Sequence, residues 1–364
     1  MTSDRQVADY TALFLDTVPL LDVRSPAEFS RGAFPGAVNI PLMNDGEREQ
    51  VGVCFSQSGQ QCAIELGHRL VSGEIRERRI RAWCDFARLN PAGCLYCFRG
   101  GLRSAIVQRW MAEAGMAYPR ISGGYKAMRR FLINALDETA AMQDFIVIGG
   151  KAGCGKTRIM AQLDNAVDLE GLANHRGSAF GHRVTGQPVQ INFENALAIA
   201  LMKLRKSGSH VYLEDESNRI GANSIPLTLF NKMQESPVAV LEETLANRVE
   251  VILSDYITEN FREFTAANKS GGHERFRTYL LGSLQRIERR LGGLLYREIA
   301  SDVEQALAHQ YDSGDTSGHK VWIEKLLKHY YDPMYDYQLD RKQQRIIFRG
   351  SRDEFLEWSI THGK

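Results

Sequence analysis

Three features of the 364-residue sequence predict an α/β fold made of two successive parallel-sheet units and a helical C-terminal region. Short apolar runs that read as strands alternate with runs of helical period, as in parallel sheets joined by crossover helices. The alternation restarts near residue 144. Beyond about residue 240 it gives way to long, charged amphipathic stretches. In the first unit the strand candidates are PLLDVRS (19–25), GAVNIP (36–41), GCLYCF (93–98) and YPRISGG (118–124), each bounded by glycine, proline or serine. Among the helices between them, SAIVQRWMAEAG (104–115) places Ile106, Val107, Trp110 and Met111 on one face. The segment NALDETAAMQ (134–143) ends a helix and forms a connector, which divides the chain into 1–136 and 144–364. The second unit opens with the strand FIVIGG (145–150), and HVYLED (210–215) follows the helical ENALAIALMKLRKSG (194–208). LEETLANRVEVILSDYI (241–257) and RTYLLGSLQRIERRLGGLLYREI (277–299) supply the helical C-terminal region.

Composition narrows the function classes. Forty-five Lys and Arg against 44 Asp and Glu leave a net charge of +1, so any nucleic acid must be gripped by local basic surface. EIRERRIR (74–81), RIERR (286–290) and DRKQQRIIFR (340–349) are candidates, the last beside Tyr330, Tyr331, Tyr335 and Tyr337. Each reads equally well as a solvated helix face. No apolar run approaches the roughly 20 residues needed to cross a bilayer. The first 25 residues lack a basic stretch followed by an uninterrupted apolar core, and the six cysteines are thinly spread. A reducing cytoplasm with free thiols is expected.

Residues 150–157 read GKAGCGKT, filling G-x-x-x-x-G-K-[ST] directly after a strand and before a helical run. Gly150, Gly153 and Gly155 let backbone N–H groups approach phosphate oxygens. Lys156 neutralises the terminal phosphate, and the Thr157 hydroxyl can ligate Mg2+. In HVYLEDESNRIG, Glu214, Asp215 and Glu216 end a strand where such folds place a metal- or water-orienting acid, although an acidic strand end facing solvent gives the same string. The motif predicts phosphate or diphosphate recognition and leaves nucleotide hydrolysis open.

Residues 97–104 read CFRGGLRS between a strand and a helix. Converging loop amides, the helix dipole and the neighbouring Arg99 and Arg103 all favour thiolate over thiol, so Cys97 is the candidate nucleophile. Arg99, Gly100, Gly101 and Arg103 would hold an anion or a sulfur-borne adduct. Cys94 and Cys97 make a C-x-x-C spacing, but residues three apart on a strand face opposite sides and no second ligand pair exists, so no metal is expected. Cys54, Cys62 and Cys84 read as packing thiols, and Cys154 occupies a variable position of the phosphate loop.

LLDVRSPAEFSRGAFPGAVNIPL (20–42) resembles the opening of a rhodanese domain, and ISGGYKAM (121–128) its closing Gly-Gly-aromatic turn. Cys97 falls on that family's persulfide-carrying cysteine. Arg103 lies one residue farther from the cysteine than in the usual sulfurtransferase loop, the spacing found in dual-specificity phosphatases, which implies a larger bound anion or adduct. With ELGHRLVSG (65–73), GLANHRGSAFG (171–181), INFENALA (191–198) and LEDESNRIG (213–221), a rhodanese domain fused to a P-loop domain is similar over nearly the whole length to bacterial tRNA 2-selenouridine synthases. The resemblance implies S-geranylation of wobble 2-thiouridine in the tRNAs for Lys, Glu and Gln with geranyl diphosphate. Selenium from selenophosphate then replaces the geranylthio group. The cysteine loop fits that scheme: Cys97 is expected to receive selenium as a thiolate adduct and deliver it to C2, with Arg99, Gly100, Gly101 and Arg103 binding selenophosphate. The resemblance also implies no tightly bound cofactor, a C-terminal region that contacts tRNA, and contact with the enzyme that produces selenophosphate. His175, Arg176 and Arg219, in the distinctive strings, are expected near the phosphate site. A phosphatase joined to a small-molecule kinase, and an RNA-binding ATPase, remain the competing readings.

Overall fold

The computed structural model describes residues 6–205, 210–268 and 271–362, and the tail of the run 194–208 lies partly outside them. The chain forms two compact units. One comprises the residues up to Leu136 together with Val189–Lys203, and the other comprises Asp137–Pro188 and the chain from Leu204 onward.

The first unit is built on strands β1 (Gln6–Val7), β2 (Leu20–Asp22), β3 (Val38–Asn39), β4 (Cys94–Tyr96) and β5 (Arg120–Ile121). They form one parallel sheet in the order β1-β5-β4-β2-β3. Leu20, Leu21, Leu95 and Tyr96 are buried, as strands covered on both faces require. At the end of β2 the buried Asp22 pairs with the buried Arg24 at 2.6 Å, and Arg24 lies 3.9 Å over the Tyr125 ring and donates to the Gly32 carbonyl. The D-V-R string is thus a structural lock. The helix Gln190–Leu204 carries Asn192, which accepts from the Ala33 amide at 2.6 Å. Its Asn195 donates to the Ala33 carbonyl and accepts from Arg129. INFENALA therefore completes the first unit although it lies beyond the phosphate loop in sequence.

The second unit holds β6 (Phe145–Gly150), β7 (Ala166–Val167), β8 (Val211–Glu214), a small antiparallel pair β9 (Arg219–Ile220) and β10 (Asn223–Ser224), then β11 (Val238–Leu241) and β12 (Ile346–Gly350). The main sheet is parallel with order β12-β11-β6-β8-β7. From β6 the chain runs to β7 and β8 on one side, then crosses to β11 on the other. The carboxyl end of β6 is therefore a switch point, where such sheets bind ligands. Two expectations are corrected here. The stretch 241–257 begins with the end of a strand, and its helix is Leu245–Ile252, capped by Thr244. The basic run 340–349 leads into β12, because Ile346 to Phe348 pair with β11 at the sheet edge. Helices dominate between residues 245 and 340 and bury a core that includes Ile257, Phe276, Leu280, Ile299, Val303 and Trp322. No helix among the described residues is long and apolar enough to cross a membrane.

Candidate active site

GKAGCGKT forms a loop at the carboxyl end of β6, and its glycines are obligatory. Gly150, Gly153 and Gly155 have φ of 138°, 79° and 90°. A Cβ at Gly153 would sit 2.7 Å from the Arg248 carbonyl oxygen, and one at Gly155 would sit 2.9 Å from the Arg352 side chain. Arg248 clamps the loop by donating to the Ala152 carbonyl while pairing with Asp332. The helix that follows is only Lys156–Met160, so its dipole adds little. Lys156 donates to the Gly150 carbonyl at 3.1 Å. Burial opposes its charge, but Cys154, Tyr335, Glu170 and Glu216 outweigh that and raise its pKa. Thr157 is exposed at the mouth of the site.

The loop opens into a cavity of about 1320 Å³ within the second unit. Glu170 and Glu216 line it beside Lys156, and their carboxyls converge at Gly177, where an added Cβ would lie 2.7 to 2.9 Å from both. Burial first, then mutual repulsion within the acidic cluster, pushes Glu170, Glu214 and Glu216 well above the usual carboxylate range. The interaction between Glu170 and Glu216 favours the proton on Glu170 and the ionised form of Glu216. Glu214 is buried behind them, with Oε2 accepting from the Glu170 amide and Oε1 unpartnered. Asp215 lines the cavity but is engaged by Lys342 at 2.5 Å. No group of three His, Cys, Asp or Glu side chains among the described residues is arranged to hold a metal ion.

Of the three residues expected near this site, Arg176 lines the cavity, with its guanidinium 5.1 Å over Tyr256 and bonded to Asn260. His175 is buried outside the lining against His182. Burial, aided by His182, Arg286 and Arg183, lowers its pKa to about 4, so it is neutral at pH 7. Arg219 is exposed and not part of the lining. Sequence reasoning missed Arg183, whose buried Nε has no partner and which faces the cavity, and the Arg286 position within RIERR, read only as surface. It also took Tyr330, Tyr331 and Tyr335 for an external grip, whereas all three line the cavity. Tyr331 and Tyr335 are held as neutral phenols by burial, Tyr335 being pushed up to about 12. The lining also carries the apolar side chains of Phe180, Ile252, Trp322, Leu326 and Leu327, with Ile252 packed against Gly153 of the loop. Two π-helical turns, Leu253–Thr258 and Leu327–Tyr331, aim Tyr256, Tyr330 and Tyr331 at this space.

In the first unit Cys97 follows β4, at the carboxyl end of the sheet. The residue is 3% exposed. Its thiol donates to Ser104 Oγ at 3.3 Å, and Ser104 donates to the Gly101 carbonyl. The turn 98–101 is pinned by the Tyr125 and Lys126 amides, which donate to the carbonyls of Cys97 and Phe98, and by Arg120, which donates to the Gly100 carbonyl. Gly123 and Gly124 are needed for this approach: a Cβ on Gly124 would strike the Cys97 carbonyl oxygen and the Gly100 amide. Arg99 is exposed, while Arg103 forms a two-point pair with Glu28 at 2.5 and 3.0 Å. Ser104 and Glu28 are contributors that the motif did not disclose. Trp83 is in the core, bonded to the Ile40 carbonyl. The arginines of 74–81 are in part ion-paired, Arg76 with Glu113 and Arg79 with Glu47.

The family profile described as the tRNA 2-selenouridine synthase AAA domain matches residues 143–364. A protein named tRNA 2-selenouridine synthase from Pseudomonas fluorescens (strain Pf0-1) is 53% identical over 98% of both chains. One of the same name from Bordetella petrii is 53% identical over 96% of this chain and 94% of its own, and one from Marinobacter nauticus is 49% identical over 99% and 98%. The N-terminal domain of an ATP/GTP binding protein from Clostridium difficile 630 shares 30% identity over 35% of this chain and 98% of its own, at a TM-score of 0.33. With relatives this similar along nearly its entire length and the profile matched across its phosphate-loop half, the chain belongs to the tRNA 2-selenouridine synthase family.

Proposed function

We propose that the protein makes 2-selenouridine in tRNA in two steps, one at each unit. In the second unit geranyl diphosphate occupies the large cavity, its diphosphate against the loop Gly150–Thr157, Lys156 and Arg183, its chain against the aromatic and aliphatic wall. The C–O bond of the allylic diphosphate breaks, the sulfur of wobble 2-thiouridine takes the C1 carbon, and diphosphate and the N3 proton leave. Lys156 and the arginines stabilise the charge on the departing diphosphate. The neutral phenols of Tyr331 and Tyr335 line the same cavity, with Lys156 Nζ 5.6 Å from the Tyr335 ring centre, and an aromatic ring beside the developing allylic cation would stabilise it. What carries this reading is the pairing, in one cavity, of a phosphate loop with a wall of Phe180, Trp322, Leu326 and Tyr331. Mg2+ would accompany the diphosphate, with the Thr157 hydroxyl and one carboxylate of the lining, Glu170 or Glu216, as its protein ligands, since this ion uses few protein ligands beside phosphate oxygens.

In the second step geranylthio-C2, selenophosphate and water give C2 selenide, geranylthiol and phosphate, with selenium at the selenide level throughout. An adduct of zero-valent selenium on Cys97 would need two electrons on release. The redox-neutral order has the Cys97 sulfur displace geranylthiolate at C2, and selenide, freed as water attacks phosphorus, displace Cys97 in turn. Because Cys97 is covered, the 98–101 turn must open for this step. The substrates are the tRNAs for Lys, Glu and Gln, and an enzyme that makes selenophosphate is the natural supplier.

Nucleoside mass analysis tests both halves. Cys97→Ser should accumulate geranylated, unselenated tRNA; loss of geranylation as well would show that the two roles are wrongly divided. Geranyl diphosphate should raise the melting temperature of the wild type and not of Lys156→Ala. Stabilisation by ATP alone, abolished in that variant, would contradict the assignment of the large cavity.

A further inference from the structure

A second cavity, of about 500 Å³, lies wholly within the first unit between the bent helix Asp45–Leu70 and the helix Leu102–Glu113. The bend is at Gly59, with φ of 80° and ψ of −175°. It folds the helix into two arms that meet where Val51 faces Gly67 and where the Cys54 and Cys62 sulfurs lie 2.7 Å apart. Val51, Phe55 and Ile64 from these arms face Leu102, Ile106 and Trp110 across the space. Phe55 and Leu102 remain 56% and 49% exposed, so apolar surface is left open beside an apolar hollow.

The position of the cavity ties it to Cys97. Leu102 and Arg103 are the first residues after the cysteine turn. Leu42, Met43, Val71 and Trp110 belong both to the cavity wall and to the core cluster that contains Cys97. The arginines of the wall are Arg48 and Arg103. Arg103 is already neutralised by Glu28, whereas Arg48 holds a buried Nε with no partner. A mainly hydrocarbon occupant with a hydrogen-bond acceptor for Arg48 matches this lining, and the volume falls in the ~300–1,000 Å³ range of small-molecule sites.

We propose that this cavity is a second isoprenoid site, which holds the C10 chain of the geranylthio nucleoside while C2 meets Cys97. The proposal rests on the two-step reaction given above and adds where the leaving group is held. The chain gives the reaction two benefits: it anchors the modified base at the cysteine, and it distinguishes the geranylated base from an unmodified one. Each CH2 that leaves water contributes up to about fourfold in affinity, so a partly buried C10 chain outweighs a methyl group by well over tenfold.

The test uses the full-length protein, selenophosphate and anticodon stem–loop RNAs bearing S-methyl, S-dimethylallyl or S-geranyl 2-thiouridine, with KM for selenation as the readout. In the wild type KM should fall at least about tenfold from S-methyl to S-geranyl. In Phe55→Glu and Ile64→Glu that difference should shrink to within about twofold while S-methyl turnover is retained, which also reports folding. If a glutamate variant loses S-methyl turnover too, Phe55→Ser decides, with a rise in KM of about fivefold expected for S-geranyl alone. A wild type indifferent to chain length, or variants that keep the full tenfold, would overturn the proposal. A chain-length effect that survives these changes and disappears in Leu326→Glu would place the chain in the second unit. A wild type that selenates none of the three RNAs would instead bring down the two-step reaction itself.

Discussion

Asp22 and Arg24 show how a residue pair read as a family signature is first a matter of stability. Both are buried, so replacing Asp22 by Ala leaves an uncompensated guanidinium, a loss of about 3–5 kcal/mol measurable by urea denaturation. The carboxyls at the phosphate loop act oppositely with pH. Glu170 and Glu214 are pushed up to about 8 and Glu216 to about 7, against 4.5 for the free side chain. Between those values the unfolded chain has released protons that the native protein keeps. Stability should therefore fall as pH rises from about 5 to 8 and be insensitive to these groups below their unfolded pKa. Melting temperatures across that range should decline in the wild type and decline less in Glu170→Gln, whose amide cannot ionise; a wild-type profile that rises across the window would refute the assignment. On the proposed function Mg2+ would enter with the diphosphate against an ionised carboxylate, so at pH 7 binding should release protons, which calorimetry in buffers of different ionisation enthalpy would detect.

At the scale of elements, the local strings that place β2, β4, β6 and β8 were legible because each is an apolar run closed by glycine, proline or acidic residues. β11 and β12 were not. The first abuts a helical pattern, and the second is hidden in a basic run that only its pairing with β11 makes a strand. The two π-helical turns were also invisible, since each is only about one turn long and its wider i→i+5 bonding has no residue signature of its own, yet they carry Tyr256, Tyr330 and Tyr331 to the cavity lining. The turn at Gly123–Gly124 was legible as a motif, and its purpose lies in the approach it allows to the Cys97 loop. Gly124→Ala would combine a left-handed backbone, with φ of 58°, at a penalty of about 1–2 kcal/mol, with a collision against the Cys97 carbonyl. Selenation should drop at least tenfold in this variant while geranylation persists, as nucleoside mass analysis would record.

Across the whole molecule, the order of motifs along the chain does not map simply onto the compact units. The helix bearing Asn192 and Asn195 follows the phosphate loop in sequence and is built into the first unit through Ala33 and Arg129. Asn192→Ala should cost about 1–3 kcal/mol by leaving the Ala33 amide without its acceptor, and hydrogen exchange should show lost protection of that amide; unchanged protection would refute this account of the helix. By itself the sequence determined the α/β class, the phosphate loop and the cysteine loop, because each depends on neighbours a few residues apart. The tertiary structure alone decided that Arg103 is paired with Glu28 across 75 residues, that Arg183 and Arg286 face the cavity while Arg219 does not, and that three carboxyls share too little water to ionise normally. Those outcomes depend on which distant segments exclude solvent from one another, and spacing along a chain does not encode that.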